Sequence, residues 1–269
     1  MSEEYGSDVW FYQEGVFNNF DLNNPQKAKL TLNISTQEQF VHLVATSDWF
    51  GAYRINFIGA GFLYWYGIVI PQSVHHINGI GENLTTYSPF AEIPPEGDEF
   101  RFLPFIISSL QYETFPEGDD YSISNIKLST SSAFAFRNLK NISNCHLMVG
   151  DGSDCFVNCE NIKDCTGTAR FGVAFRNCKN ITNCQAFGSY SSFSNCENLI
   201  SCFGKSGSDA VFSDCSMLLN CHAENSALNA PYKDISIASN CQASGNENRT
   251  TDWAGTNTHI DPVTCNING

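Results

Sequence analysis

FRNLKNISNC (136–145), FVNCENIKDC (156–165), FRNCKNITNC (175–184), FSNCENLISC (193–202), FSDCSMLLNC (212–221) and YKDISIASNC (232–241) are one ten-residue phrase written six times, its starts 20, 19, 18, 19 and 20 residues apart. Self-similarity at such a period is the mark of a solenoid. Column one of the phrase is Phe136, Phe156, Phe175, Phe193, Phe212 and Tyr232. Column four is Leu139, Cys159, Cys178, Cys196, Cys215 and Ile235, and column seven is Ile142, Ile162, Ile181, Leu199, Leu218 and Ala238. Column ten is cysteine six times. These four columns are apolar or thiol and point inward; the Asn, Asp, Lys, Glu, Arg and Ser between them point outward or sit in turns.

Units of about 19 residues, rich in Asn, Ser and Gly and poor in Leu, Ala and Glu, do not make helical repeats. A leucine-rich frame is absent as well. The pattern predicts an all-β, single-stranded parallel solenoid of brief strands, stacked at about 4.8 Å per coil. Like residues then lie above like. Asn138, Asn158, Asn177 and Asn195, followed by Asp214 and Asp234, form one ladder, and Asn141, Asn161, Asn180 and Asn198 form a second. Stacked amides hydrogen-bond along the axis, and Asn tolerates the left-handed backbone of a tight corner.

Ten of the twelve cysteines lie in columns four and ten; Cys155 and Cys265 are the others. No CxxC occurs, and the six-residue intervals follow from the coil. The expectation is an interior stack of reduced thiols that pack as small hydrophobes, with no metal, no cofactor and no disulfide frame.

The 269 residues suffice for one elongated domain or two small ones. The start MSEEYGSDVWFYQEG is acidic and lacks the basic and apolar regions of a signal peptide. Unpaired thiols fit synthesis in a reducing cytosol, with later incorporation into an assembled particle. A net charge of −14, from 28 acidic and 14 basic residues, argues against nucleic acid as a ligand and against an anionic membrane surface. It serves to keep a protein with exposed β-edges soluble.

Along the chain, residues 1–27 form an aromatic arm with Trp10, Phe11, Tyr12, Phe17 and Phe20. Residues 28–135 read as a capping helix and irregular first coils. AKLTLNI (28–34) alternates as a strand, and both Ser35/Glu38 and Thr36/Gln39 have capping-box spacing before a helix to about Ala45 with Phe40, Leu43 and Val44 on its apolar face. YRINFIG (53–59), FLYWYGIVIP (62–71) and VHHINGIG (74–81) are short β-rich runs, and 82–104, with four prolines and several acids, is a loop excursion. FIISSLQYETF (105–115) returns to strand. Ile123-Ser124-Asn125-Ile126 precedes Ile142-Ser143-Asn144-Cys145 by 19 residues, so regular coils begin one turn before the full phrase. Residues 136–241 are the regular β-helix coils, and 242–269 are read as a C-terminal cap that carries Trp253, Ile260, Val263 and Cys265.

A capping helix followed by RINFIGAG (54–61), GIVIP (67–71) and VHHINGIGEN (74–83) resembles the opening of the pectate-lyase-like right-handed parallel β-helix, the architecture shared by phage tail spikes and tail fibres. The likeness spans roughly residues 30–245 and is architectural. It implies a virion protein, homotrimeric, that attaches to a host-surface glycan or to another virion component, without membrane insertion.

Lyases and hydrolases on this fold need clustered carboxylates. The outward column two reads Arg137, Val157, Arg176, Ser194, Ser213 and Lys233, with no acid column beside it. Arg137 and Arg176 fall about 10 Å apart, two coil spacings. The histidines at 42, 75, 76, 146, 222 and 259 lack ligand spacing apart from the adjacent pair. No Ser/His/Asp arrangement or paired carboxylate stands out. The expectation is therefore no catalytic residue. The candidate binding residues are Phe171, Phe187, Tyr190 and Phe203 in the uneven segments between phrases, with Arg137 and Arg176; aromatics on a rigid polar face suit sugar stacking, and packing beneath the loops is the competing outcome. Two other functions stay open: a polysaccharide depolymerase on the same fold, and an acidic decoy of a DNA-binding protein.

Overall fold

A computed structural model of the protein describes residues 31–45, 52–58, 63–64, 68–79, 105–107, 110–112, 121–130, 134–150, 152–226, 229–245, 253–254 and 259–260. The aromatic arm at 1–27 and the excursion at 82–104 lie outside them. The fold is the expected all-β parallel solenoid, with three strands per coil. They build three parallel sheets of nine, eleven and nine strands. The first sheet holds columns one and two of the phrase, in strands such as Phe175–Arg176; the second holds columns five to eight, as in Lys179–Thr182; the third holds the four residues after the column-ten cysteine, as in Gln185–Gly188. Every strand pairs in register with its counterpart one coil away, so Phe156 meets Phe175 and Ile162 meets Ile181.

The backbone shows why this phrase makes this coil. Among the described residues, each of the seventeen non-glycine positions with positive φ belongs to one of three columns. Column three (Asn138, Asn158, Asn177, Asn195, Asp214, Asp234) turns the corner from the first sheet to the second. Column nine (Asn144, Asp164, Asn183, Ser201, Asn220, Asn240, preceded by Asn125) turns the corner from the second to the third. Column six (Asn141, Asn161, Asn180, Asn198) bends the second-sheet strand in mid-course, and the pairing passes from Lys140↔Glu160 to Ile142↔Ile162 around it. Short polar side chains are the non-glycine residues that best tolerate this conformation. Their amides also bond along the axis: Asn195 donates to Asn177 at 2.8 Å, Asn180 to Asn161 at 3.0 Å, and Asn144 to Asn125 at 2.7 Å. The two ladders expected from the sequence are present, and column nine adds a third.

Inside, the column-one rings are fully buried and stack at 4.5 to 5.4 Å from Phe156 to Tyr232, after one edge-to-face contact of 5.7 Å between Phe136 and Phe156. Room for the rings comes from the third sheet, whose inward column is Leu147, Gly167, Ala186, Gly204 and Ala223, all buried. A Cβ on Gly204 would come within 2.3 Å of Val211 Cγ1 and 3.4 Å of Phe193 Cδ2. At the Tyr232 rung of the ring stack, the hydroxyl donates to the carbonyl of Gln242 (2.5 Å), with the Cys221 carbonyl 3.3 Å away.

The eleven described cysteines are free and buried. Each column-ten thiol donates to the carbonyl two residues earlier across its corner, from Cys165 to Lys163 at 3.1 Å and from Cys184 to Thr182 at 3.2 Å. Column four repeats this with Cys178 to Arg176 at 3.3 Å. Burial pushes the thiols of Cys155, Cys178 and Cys215 up. Hydrogen bonding to Cys202, then burial, pushes Cys221 up to about 12. Such groups are protonated core side chains at neutral pH.

The helix Gln37–Ala45 closes the first coil. Of the two capping-box alternatives, Thr36/Gln39 is the one formed: the Gln39 amide donates to Thr36 Oγ1 at 3.2 Å, and Gln39 Oε1 accepts from the Thr36 amide at 3.2 Å. Phe40 and Leu43 are buried, and Phe40 packs edge-to-face on Phe57 at 5.9 Å. At the other end, Gln242–Gly245, Trp253–Ala254 and His259–Ile260 each add a strand to one sheet, so coil pairing continues into the 242–269 segment.

Candidate functional site

The third sheet presents two outward columns. One reads His146, Thr166, Gln185, Phe203, His222 and Gln242 along the axis; the other reads Met148, Thr168, Phe187, Lys205, Glu224 and Ser244. Alternation in the strand puts these side chains on the outer face because their neighbours Ala186, Gly204 and Ala223 must face the rings.

Two of the expected binding residues meet here. Phe187 and Phe203 are half-buried, their centroids 6.0 Å apart at 56°. His222 extends the strip, stacked on Phe203 at 5.7 Å and 9°, with its Nε2 2.9 Å from Ser244 Oγ. Beside the rings, Lys205 Nζ and Glu224 Oε1 form an ion pair at 2.6 Å.

Phe171 and Tyr190 lie one coil apart at the corner that leads from the third sheet to the first, 44% and 51% exposed. The Arg170 guanidinium lies 5.3 Å from the Phe171 ring centroid. Within the regular coils 136–241 this is the corner whose length varies from coil to coil, which is why it carries side chains the other corners there do not. The four aromatics therefore share one face and its bordering corner.

The two arginines sit elsewhere, on the outer face of the first sheet. Arg176 is held by Asp154, with Nε 3.0 Å from Oδ2 and Nη2 3.3 Å from Oδ1, while the Val173 amide donates to the same carboxylate at 2.8 Å. Burial raises the Asp154 carboxyl above its usual range, against the pull of the Val173 amide and Arg176. The pair clamps the variable corner to the first sheet. Arg137 is half-buried in the same column, two coils earlier.

Sequence reading missed His222 and the Lys205–Glu224 pair as parts of a surface. The signal is the residue directly after each column-ten cysteine, and the one two further on, at the coil period. It also missed an alternating ladder on the second sheet: Lys140–Glu160 at 3.2 Å and Lys179–Glu197 at 2.9 Å in column five.

The arrangement offers ring faces, amides, hydroxyls and one ion pair on a flat surface. Its two outward columns contain a single carboxylate, Glu224, already tied to Lys205. Among the described residues no group of three or more His, Cys, Asp or Glu is placed to hold a metal ion, and no helix is long and apolar enough to cross a membrane. His75 and His76 are engaged in the first coils, stacked on Tyr53 at 4.5 Å and bonded to Ser122 Oγ at 3.0 Å respectively. Comparison with known protein families, with curated proteins and with solved structures returned no match.

Proposed function

We propose that this chain is a non-catalytic attachment protein, of the kind formed by the β-helical parts of phage tail fibres and tail spikes. It holds a surface glycan on the outer face of its third sheet and works as a homotrimer within a particle. The observation that carries the reading is the outward strip Phe187–Phe203–His222 on a rigid face, with His222 stacked on Phe203, Phe187 tilted against Phe203, and exposed Phe171 and Tyr190 at its border. Ring faces pack on the apolar side of a sugar, and Gln185, Thr166, Thr168 and Gln242 supply amides and hydroxyls for its rim. Glycosidic hydrolysis by two carboxylates requires a second acid within roughly 10 Å of the first. Glu224, bound to Lys205, has no such companion in the two columns.

The test is binding to a panel of bacterial surface polysaccharides by wild-type protein, Phe203→Ala and Phe187→Ala. Each substitution is expected to weaken binding about tenfold, the factor that about 1.4 kcal/mol represents, with melting unchanged. Equal binding by all three proteins would move the ligand off this strip, and reducing-end release from any polysaccharide would make the protein a depolymerase. Light scattering of the full chain is expected to give the mass of three copies; a monomer at all concentrations would remove the trimer from the proposal.

A further inference from the structure

The ion pair on the third sheet shares two strands with the rings. Phe203 and Lys205 are the first and third residues of the strand Phe203–Ser206, and His222 and Glu224 hold the same places in the strand His222–Asn225. The register sets Phe203 beside His222 and Lys205 beside Glu224. Alternation puts all four side chains on one face, with about 6.6 Å between the two columns. A ligand that covers Phe203 and His222 therefore lies against Lys205 and Glu224 as well. Both members of the pair reach the surface, with side chains 48% and 36% exposed.

The pair leaves no net charge beside the rings. From Thr166 and Thr168 to Gln242 and Ser244, the rest of the two columns supplies hydroxyls, amides and the Phe187 ring. Lys127 stands in the column of Phe203 but four coils earlier, and it is buried. The bordering corner carries one residue of each sign among the described residues, Arg170 and Asp209. On a chain of net charge −14, this face is thus close to neutral.

We propose that the Lys205–Glu224 pair makes the strip selective for uncharged sugars, so that the ligand is a neutral polysaccharide and not a uronic or amino one. This rests on the attachment reading above and names its ligand class. A hydroxyl both donates and accepts, so a neutral sugar accepts from Lys205 Nζ and donates to the Glu224 carboxylate while the pair stays joined. A sugar carboxylate at the same place has two options. It takes Lys205 away and strands the Glu224 carboxylate beneath the ligand, or it lies against Glu224 itself; both are costly. A sugar ammonium meets the same choice with Lys205. The negative field of the whole chain adds to the rejection of anions.

The test uses the full chain and matched polymers: bacterial polysaccharides that contain uronic acids, and the neutral polymer made from each by reducing its carboxyl groups to hydroxymethyl groups. Wild-type protein is expected to bind a reduced polymer about tenfold more tightly than its acidic parent at low salt, and the ratio is expected to shrink as salt screens the charges. Glu224→Gln frees Lys205 and is expected to reverse the preference. Lys205→Gln leaves Glu224 without its partner and is expected to widen it. The double variant, Lys205→Gln with Glu224→Gln, is expected to bind the two forms alike, and all three variants to melt with the parent. Tighter or equal binding of the acidic parents by wild type overturns this inference and leaves the attachment reading standing. A ratio that neither salt nor Glu224→Gln moves overturns it as well, because the selection is then not one of charge. Absence of binding to every polymer, acidic or reduced, overturns both.

Discussion

At the scale of the residue, three side-chain types divide the labour. Asparagine supplies the backbone, phenylalanine the bulk of the core, and cysteine the small apolar wedge that seals a corner. Each division has a test. Asn177 sits at φ 54° and donates to Asn158 at 3.2 Å. Asn177→Ala places a Cβ residue without a local hydrogen bond in the left-handed region and is expected to cost about 1–2 kcal/mol in denaturant melts. Asn177→Gly relieves the strain and loses only the amide, so it is expected to cost less than Asn177→Ala; the reverse order would mean that the ladder outweighs the backbone. Phe175→Ala, a fully buried ring stacked at 4.5 and 4.9 Å on its neighbours, is expected to cost about 3–5 kcal/mol. For the thiols, an aromatic disulfide reagent at pH 8 is expected to leave the eleven described cysteines unreacted until denaturant is added, because all of them are buried.

At the scale of the element, what the sequence reveals depends on how strictly a position repeats. The inward columns were legible because six phrases agree at Phe136, Phe156, Phe175 and onward. The capping helix was legible from Thr36, Gln39 and Phe40, although two overlapping boxes left its first residue open until the Thr36–Gln39 bonds decided it. The column-nine ladder was harder to see because Asp164 and Ser201 interrupt the asparagines, while the backbone there is unchanged at φ 53° for both. The binding strip was half legible: its aromatics were picked out singly, but the variable third corner hides the alternation that aligns Phe203 with His222. The third sheet also carries a titration to test. Partial burial, and then the charge of Lys127 in the adjacent strand, lower the affinity of His146 for a proton. With the folded value below the unfolded one near 6.5, the unfolded chain takes up the proton first on acidification. Stability is therefore full above about pH 6.5 and falls as the pH drops toward the lowered value. His146→Gln is expected to flatten that part of the melting-temperature profile between pH 7.5 and 5.5; an unchanged slope would assign it to another group.

At the scale of the whole molecule, the parallel register makes each coil depend chiefly on the coils above and below it. The rings stack only on neighbours, the amides donate only to the previous coil, and the corner N–H groups bond only to the next. Such an assembly has no unique centre, and its length is adjustable in whole units. Removing residues 175–192 joins Ala174 to Phe193 and deletes one coil without shifting a column, since Phe193 already pairs with Phe175 and Leu199 with Ile181. The shortened chain is expected to keep the β-sheet circular dichroism of the parent and to melt cooperatively, at a somewhat lower temperature because one set of coil contacts is gone. Removing residues 175–183 instead brings a column-ten cysteine to the place of a column-one ring and sets Asn195 at the inward position of the third-sheet strand, the place of Ala186. That chain is expected to fail to fold. Equal tolerance of both deletions would mean that the columns do not set the register. Equal failure would mean that the solenoid is held by contacts longer in range than adjacent coils.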